Sequence, residues 1–303
     1  MGNRIFVALV LLLWVSTMSW LMVARILPPF FQGEPPTHGI LASKEPMCWQ
    51  IQFGDRQVGY AVSQIVPGAL DTTEIYSRVL LERIELRQFA PQWMESLVRS
   101  MGEVSFDTRT RLVLDSLGSL SRFETTVKIN DMPIVMKVVG RVEGPDLKLR
   151  IQSGGISHEA SYPVANTAWM SSELMPEPKL LQVYVGRKWQ QEVFSPFRPP
   201  NSSLELIQAE VVEEGLIEHR HERVNARKIE MRTITGAGVA SDNTLRSVMW
   251  VSDDGTVLRQ DVYMINSTNL RFERCSEPPM IELAGKLLDL ENFATIAPTV
   301  LAP

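Results

Sequence analysis

Cysteine and histidine are scarce in this chain of 303 residues, which holds two cysteines and four histidines. Two cysteines cannot build a disulfide-dense small scaffold or a four-thiolate zinc site. A basic excess is also missing, because the formal net charge is −5 at pH 7. Nucleic-acid binding normally shows as a surplus of lysine and arginine, so we expect no nucleic-acid partner.

Motifs that carry catalysis are missing as well. No serine lies in a G-x-S-x-G nucleophile elbow. The adjacent carboxylates Glu213–Glu214 and Asp253–Asp254 would point to opposite faces of a strand, so neither pair forms a two-carboxylate site. Gly236–Gly238 opens like a dinucleotide fingerprint but lacks the third glycine and the following helix. We therefore expect no catalytic residue, no cofactor and no enzymatic activity.

His219 and His221 are the best candidates for metal ligands. On a strand, alternation would place both side chains on one face, and His158 is available as a third ligand. The alternative is a solvated charged face, which the neighbouring Arg220 and Arg223 favour. We adopt the second interpretation and predict no metal site.

One long apolar run, Ile5 to Ala24, carries no charge and is bounded by Arg4 and Arg25. At about 1.5 Å per residue, a helix of this length covers the roughly 30 Å hydrocarbon core of a bilayer. The run predicts an N-terminal transmembrane helix and a bilayer partner. The residues that we assign to this anchor are Ile5, Leu12, Trp14, Trp20 and Ala24.

Two alternatives to an anchor stay open, a cleaved signal peptide and a buried core helix. A signal peptide normally has about 7–15 apolar residues and then a small-x-small cleavage site, which Leu21–Arg25 lacks. The position at the start of the chain argues against a core helix. The positive-inside bias leans towards a cytoplasmic N-terminus, so we expect a single-pass membrane protein with a periplasmic C-terminal domain.

Composition divides the chain into six segments. Prolines predict a semi-rigid stalk after the anchor and a second proline-rich connection near the middle. The predicted segments are the anchor 1–27, the stalk 28–46, a first β-rich half 47–156, the connection 157–200, a second β-rich half 201–277, and a C-terminal helix and tail 278–303.

Apolar and polar residues alternate with a period of two along most of the chain, which predicts a mainly β fold. In Leu147–Gln152, for example, Lys148 and Arg150 form the wet face of a half-buried strand. Ile75–Leu86 fits either a strand or a helix. Further predicted strands include Trp49–Phe53, Val58–Val66, Arg109–Leu114, Leu120–Ile129, Ile134–Val142, Leu180–Val185, Glu210–Val224, Lys228–Ile234, Leu245–Val251, Thr256–Ile265 and Leu270–Arg274. Helical spacing indicates two helices, Pro91–Met101 and Met280–Leu290, of which the second either packs across the sheet or forms an exposed tail helix.

Two hairpins share one design. Arg111–Ile129 and Ser247–Ile265 each contain an apolar strand, an acidic turn that ends in glycine, and a longer alternating strand. Gly118 and Gly255 supply the positive φ that such turns need, and Asp115 and Asp253 are predicted to hydrogen-bond the turn backbone. The repetition indicates either an internal duplication or two unrelated hairpins that use the same turn residues.

Cys48 and Cys275 flank the predicted folded region, one before its first strand and one after its last. In an oxidising compartment, a disulfide between them would close a very long loop. The alternative is two unpaired, buried thiols.

The series of antiparallel strands, the helix candidate Pro91–Met101 and the acid-to-glycine turns at Asp115–Gly118 and Asp253–Gly255 resemble the lipoprotein-carrier superfamily of LolA/LolB-like half-barrels. The resemblance covers roughly Trp49 to Arg274. It implies a curved sheet that wraps an apolar cavity for acyl chains, and it assigns no binding residues.

The expected fold is therefore β-rich α+β, with a curved antiparallel sheet or half-barrel, with or without internal duplication, one or two packing helices and the N-terminal transmembrane helix. The predicted function is non-enzymatic binding of a lipid or other apolar ligand. The alternative is a scaffold with a filled core that binds a protein partner in the cell envelope.

Overall fold

A computed structural model describes residues 2–22, 46–85, 102–130, 132, 134–163, 169–170, 176–177, 179–194, 204–234, 244–263 and 269–275. One helix, α1, covers Gly2–Leu21 within these ranges. The strands are β1 Met47–Phe53, β2 Arg56–Pro67, β3 Thr73–Glu85, β4 Glu103–Leu114, β5 Leu120–Ile129, β6 Met136–Glu143, β7 Asp146–Ser153, β8 Ile156–Pro163, β9 Trp169–Met170, β10 Lys188–Phe194, β11 Leu204–His219, β12 Glu222–Ile234, β13 Leu245–Ser252, β14 Val257–Tyr263 and β15 Asn269–Cys275.

All fifteen strands belong to one sheet. Its order is β8-β7-β6-β5-β4-β3-β2-β1-β15-β14-β13-β12-β11-β10-β9, so each half of the chain winds outward from the central pair β1 and β15. Every neighbouring pair is antiparallel except β9 and β10. The predicted mainly β, antiparallel fold is confirmed, and the described part of the ambiguous segment Ile75–Leu86, up to Glu85, belongs to strand β3.

The apolar face of the sheet is packed from both halves of the chain. One cluster of buried side chains brings together β1, β2, β3 and β15 with β10 to β14, and Trp49 and Trp189 are fully buried in it. A second cluster lies on β1 to β7 around Phe123 and Leu112. Since strands far apart in sequence contribute to the first cluster, the two halves share one core.

The described large apolar side chains of helix α1 are exposed. Their exposed fractions run from 40% for Leu21 to 69% for Leu13. Within the residues that the structure describes, no helix combines the length and the apolar character needed to cross a membrane. The predicted transmembrane helix is therefore not supported, and α1 covers Gly2–Leu21. Of the assigned anchor residues, Leu12, Trp14 and Trp20 are exposed on α1, Ile5 lies in its first turns and Ala24 lies outside the described residues.

The two acidic turns form as predicted, with one correction. Asp115 accepts hydrogen bonds from the backbone N–H groups of Leu117 and Ser119, and Gly118 has a φ of 81°. In the second turn the residue that bonds the backbone is Asp254 and not Asp253. Asp254 accepts from the N–H of Thr256 at 3.2 Å, whereas Asp253 accepts from Arg227 at 2.8 Å.

The predicted strand Glu210–Val224 is wrong, because a hairpin turn divides it into β11 and β12. Arg220 and His221 form that turn with φ values of 56° and 64°. A two-residue turn with positive φ at both positions matches the twist of the strands, and glycine or asparagine normally marks it. His219 is therefore buried at the end of β11, while His221 is exposed in the turn.

The proline-rich connection also differs from its prediction. Leu180–Val185 is not a strand, because the Leu180 N–H donates to the carbonyl of Gly255 at 2.8 Å and Gln182 has a φ of 57°. Instead, β8, β9 and β10 lie within or across the predicted connection 157–200. The predicted helices Pro91–Met101 and Met280–Leu290 and the stalk 28–46 lie outside the described residues apart from Pro46.

Candidate functional site

A cavity with a volume of about 410 Å³ lies on the polar face of β5 to β8, opposite the apolar cluster around Phe123. The pairing register explains its lining, because residues at alternate positions of four successive strands meet on one face. We call this cavity the charged groove. Its charged side chains are Arg122, Glu124, Lys137, Arg141, Glu143, Lys148, Arg150 and Glu159.

The charged groove has five basic and three acidic side chains, whereas the chain as a whole has a net charge of −5. Each carboxylate has a close cationic partner. Glu124 lies 2.7 Å from Lys137, Glu143 lies 2.5 Å from Lys148, and Glu159 lies 2.7 Å from Arg150. The hydrogen bond from Lys148 lowers the pKa of Glu143 and raises that of Lys148.

The surplus positive charge belongs to Arg122 and Arg141. Arg122 is 3.9 Å from Glu124 and Arg141 is 3.7 Å from Glu143, so both arginines share carboxylates that a lysine already neutralises. The two arginines are direct cross-strand partners, and Arg141 is in turn the partner of Lys148. We call Arg122, Arg141 and Lys148 the cation row.

Like charges in direct cross-strand positions destabilise a sheet. The cation row keeps three such charges in line across β5, β6 and β7, with side chains 44%, 60% and 59% exposed. An anion placed above the row would reduce the repulsion that remains between Arg122 and Arg141, which share their carboxylates with lysines. The geometry is therefore suited to binding carboxylate or other anionic groups.

The groove ends at strand β8, which is the last strand in the sheet order. β8 pairs with β7 over its whole length, and no described strand pairs with its other side. Its residues are exposed or half-buried, and Ile156 is 75% exposed. An unpaired edge presents a row of N–H and C=O groups that can accept an added strand.

Cys48 and Cys275 form a second notable site. They are direct cross-strand partners in β1 and β15, the strands that join the two halves of the sheet. Both are thiols in the structure. A hydrogen bond with Cys275, together with burial, raises the pKa of the Cys48 thiol far above its usual value. A thiol in this state is a poor nucleophile.

The described side chains contain no group of three or more His, Cys, Asp or Glu residues arranged to hold a metal ion. Burial lowers the pKa of His219, so its imidazole is neutral at neutral pH and its 3.6 Å approach to Glu273 is not an ion pair.

Sequence reasoning missed the charged groove as a site. It assigned Lys148 and Arg150 to a wet strand face, and both line the groove. Arg122 and Arg141 are 19 positions apart in the chain, so only the register between β5 and β6 shows that they oppose each other. Nothing in the linear spacing signals that contact.

No protein-family model matches the chain, and no curated protein matches it. Among solved structures, the chain is similar to a β-barrel-like protein of a domain of unknown function, DUF1849, from Brucella abortus. The identity is 9% and the TM-score 0.48, over 77% of this chain and 95% of the other. A DUF1089 family protein from Pseudomonas aeruginosa is 12% identical with a TM-score of 0.34, over 65% and 87%. Neither is described as a lipoprotein carrier, and that predicted resemblance stays a prediction.

Proposed function

We propose that the protein is a non-enzymatic interaction protein that binds an acidic, extended segment of a partner protein in the cell envelope. The segment pairs with the edge of β8 and places carboxylates over the cation row. The observation that carries this proposal is the line of Arg122, Arg141 and Lys148, which ends at an unpaired strand edge.

Backbone pairing and charge would contribute differently to such binding. Hydrogen bonds to β8 supply affinity for any extended peptide, and alternate side chains supply selectivity. Side chains of an added strand point alternately to the two faces of the sheet, so every second residue reaches the polar face and the groove. An alternating acidic and apolar segment fits both requirements, and the exposed side chain of Ile156 offers an apolar contact at the same edge.

The packing of the first core cluster favours this scaffold over a lipid carrier. Trp49, Trp189, Ile229 and Phe272 are fully buried in this cluster of the described interior. The charged groove lies on the polar face of the sheet, and its charged walls do not suit an acyl chain. Binding of a lipid or apolar ligand stays a prediction, and native mass spectrometry of the purified chain for retained lipid tests it.

We also propose that α1 associates with a bilayer. The support is that its large apolar side chains, including Leu12 and Trp14, are exposed, and apolar surface of this kind gains by transfer into lipid. This arrangement leaves the sheet on the far side of the membrane and the N-terminus in the cytoplasm, as the positive-inside bias favours.

Binding is tested with the full chain in detergent and two labelled octapeptides, one of alternating Glu and Val and one of alternating Lys and Val. Fluorescence anisotropy should show binding of the Glu peptide and weakening with salt. The double variant Arg122→Glu/Arg141→Glu should lose at least about tenfold in affinity. Ile156→Lys should also weaken binding, because a lysine protects an edge strand from pairing.

Lys188→Glu is the matched control for charge, since Lys188 is a half-exposed cation on β10, away from the groove. It should leave peptide affinity within about twofold. Equal affinity for the Glu and Lys peptides, or an unchanged affinity in the double arginine variant, would show that the charged groove is not the binding site.

Membrane association is tested by fractionation of cells that express the full chain. Leu12→Lys/Trp14→Lys should move the chain from the carbonate-resistant membrane fraction to the aqueous fraction. Leu216→Lys is the control, because Leu216 is a comparably exposed leucine, 67%, on β11. Retention of the Leu12→Lys/Trp14→Lys chain in membranes would contradict a role for α1.

A further inference from the structure

The two cysteines of the chain occupy one cross-strand position. Cys48 in β1 and Cys275 in β15 are direct partners in an antiparallel pair, and the sequence contains no other cysteine. Directly opposed residues in antiparallel strands have Cα atoms about 4.5–5.5 Å apart. Disulfides need about 4.4–6.8 Å, so the backbone already has the required geometry.

The side chains are also on the same face and in contact. A hydrogen bond links the two thiols, and it is the largest cause of the raised pKa of Cys48. Only 2% of Cys48 is exposed, while Cys275 is partly exposed. The pair is thus positioned for a sulfur–sulfur bond but shielded on the Cys48 side.

The tip of the β11–β12 hairpin contacts β15 beside the cysteine pair. The guanidinium of Arg220 donates to the backbone carbonyl of Arg274, next to Cys275, at 3.0 Å from Nε and 2.8 Å from Nη2. His219 is buried beside Glu273, two residues before Cys275. The hairpin tip therefore contacts the end of β15 that carries Cys275.

We propose that Cys48 and Cys275 form a disulfide that covalently joins β1 to β15, and that the hairpin tip at Arg220 protects this bond from reduction. The two thiols together lose two protons and two electrons as the sulfur–sulfur bond forms. A small-molecule or protein disulfide accepts the electrons and is reduced to two thiols. The proposal is independent of peptide binding by the charged groove.

The bond lies where the two halves of the sheet meet, so it restricts the unfolded chain strongly. In the unfolded chain, a disulfide that closes a loop of more than about 100 residues removes much conformational entropy. The oxidised chain should therefore melt about 8 °C or more above the reduced chain.

The test uses the full chain in detergent after incubation with oxidised glutathione. The chain is then unfolded, treated with iodoacetamide without reductant and weighed intact. The expected result is a monomer without alkyl groups, two mass units lighter than the dithiol, whose melting temperature falls on reduction. Cys48→Ser, and separately Cys275→Ser, should each carry one alkyl group or one glutathione, and each should lose the redox-dependent shift in melting temperature.

Arg220→Ala tests the shield without altering either cysteine. Its disulfide should still form, but dithiothreitol should reduce it at least about fivefold faster than in the wild type under native conditions. His221→Ala, an exposed position in the same turn, is the control and should leave the rate unchanged.

Several outcomes would overturn the proposal, even if a serine variant fails to fold. Two alkyl groups on the oxidised wild-type chain would show that the thiols do not pair. A disulfide-linked dimer on a non-reducing gel would show pairing between chains. Equal reduction rates for the wild type and Arg220→Ala would show that the hairpin tip does not protect the disulfide.

Discussion

Gly140 on β6 lies directly opposite Phe123 on β5, and the Phe123 ring occupies the space where a side chain at position 140 would begin. The Phe123 side chain is fully buried in the second core cluster. The neighbours of this pair, Glu124, Val139 and Arg141, line the charged groove on the other face. The close approach of ring to backbone therefore supports the floor of the groove.

Gly140→Ala should destabilise the chain by about 1–3 kcal/mol, because the new methyl group overlaps the ring and forces a repacking of the cluster. Urea unfolding, followed by circular dichroism, measures the change. Gly215→Ala is the control, since a Cβ at Gly215 contacts nothing and its φ is not positive. It should be neutral or slightly stabilising. Equal stability of the two variants would contradict the tight packing at Phe123.

The turns show how far local sequence chemistry predicts this fold. The hairpin β4–β5 was predictable because Gly118 and Asp115 are the residues that its turn requires. The hairpin β11–β12 was not, because Arg220 and His221 adopt positive φ without a glycine or asparagine. The hydrogen bonds of Arg220 to the Arg274 carbonyl are a tertiary contact that helps hold this unusual turn.

The pairing of β1 with β15 shows why the cysteine pair and the charged groove could not be predicted from the sequence. Alternation correctly indicated strands next to Cys48 and Cys275 and a polar face at Lys148 and Arg150. Which strands become neighbours depends on core packing over the whole chain, and alternation within a strand carries no information about it. For this reason, sequence analysis left the cysteine pairing open and did not detect the cation row.

The carboxylate of Asp261 on β14 lies at the centre of a charge cluster. It is almost inaccessible to solvent, since only 6% of the side chain is exposed. It accepts hydrogen bonds from Arg259 at 2.6 Å and from Arg271 at 2.9 Å. Asp261→Ala leaves two arginines without their acceptor and should cost about 1.5–3 kcal/mol in unfolding free energy. Glu213→Ala, at an exposed ion pair with Lys228, should cost less than about 1 kcal/mol. Chemical denaturation that ranks the two variants in the reverse order would contradict this assignment.

Trp189 provides a direct test of the filled interior. It is fully buried in the first core cluster, so Trp189→Ala should cost about 3–5 kcal/mol and leave a cavity. Trp250 is half-buried on the polar face, where Lys228 lies 5.8 Å from its ring centroid, and Trp250→Ala should cost about 1 kcal/mol. Unfolding curves followed by fluorescence compare the two. A cost below about 1 kcal/mol for Trp189→Ala would indicate a loosely packed interior that could admit an apolar ligand.

The turn at Asp254 should make stability depend on pH in the acid range. Burial by itself opposes the charge of Asp254, but hydrogen bonds from Ser252 and Thr256 outweigh it and lower its pKa from 3.8 to about 2. Because the folded pKa is below the ordinary value, this carboxylate stabilises the fold fully above about pH 4. Its contribution declines as the pH falls from 4 towards 2 and the folded form becomes protonated.

Asp254→Ala should therefore lower the melting temperature by about 2 °C at pH 6, and this difference should shrink towards zero at pH 2. Thermal melts of the wild type and the variant between pH 2 and pH 7 measure it. Asp55→Ala, in the exposed β1–β2 turn, is the control and should lower the melting temperature at pH 6 by less than Asp254→Ala does. If the melting-temperature difference between the wild type and Asp254→Ala instead grows as the pH falls from 6 to 2, the charged form of Asp254 does not stabilise the β13–β14 turn.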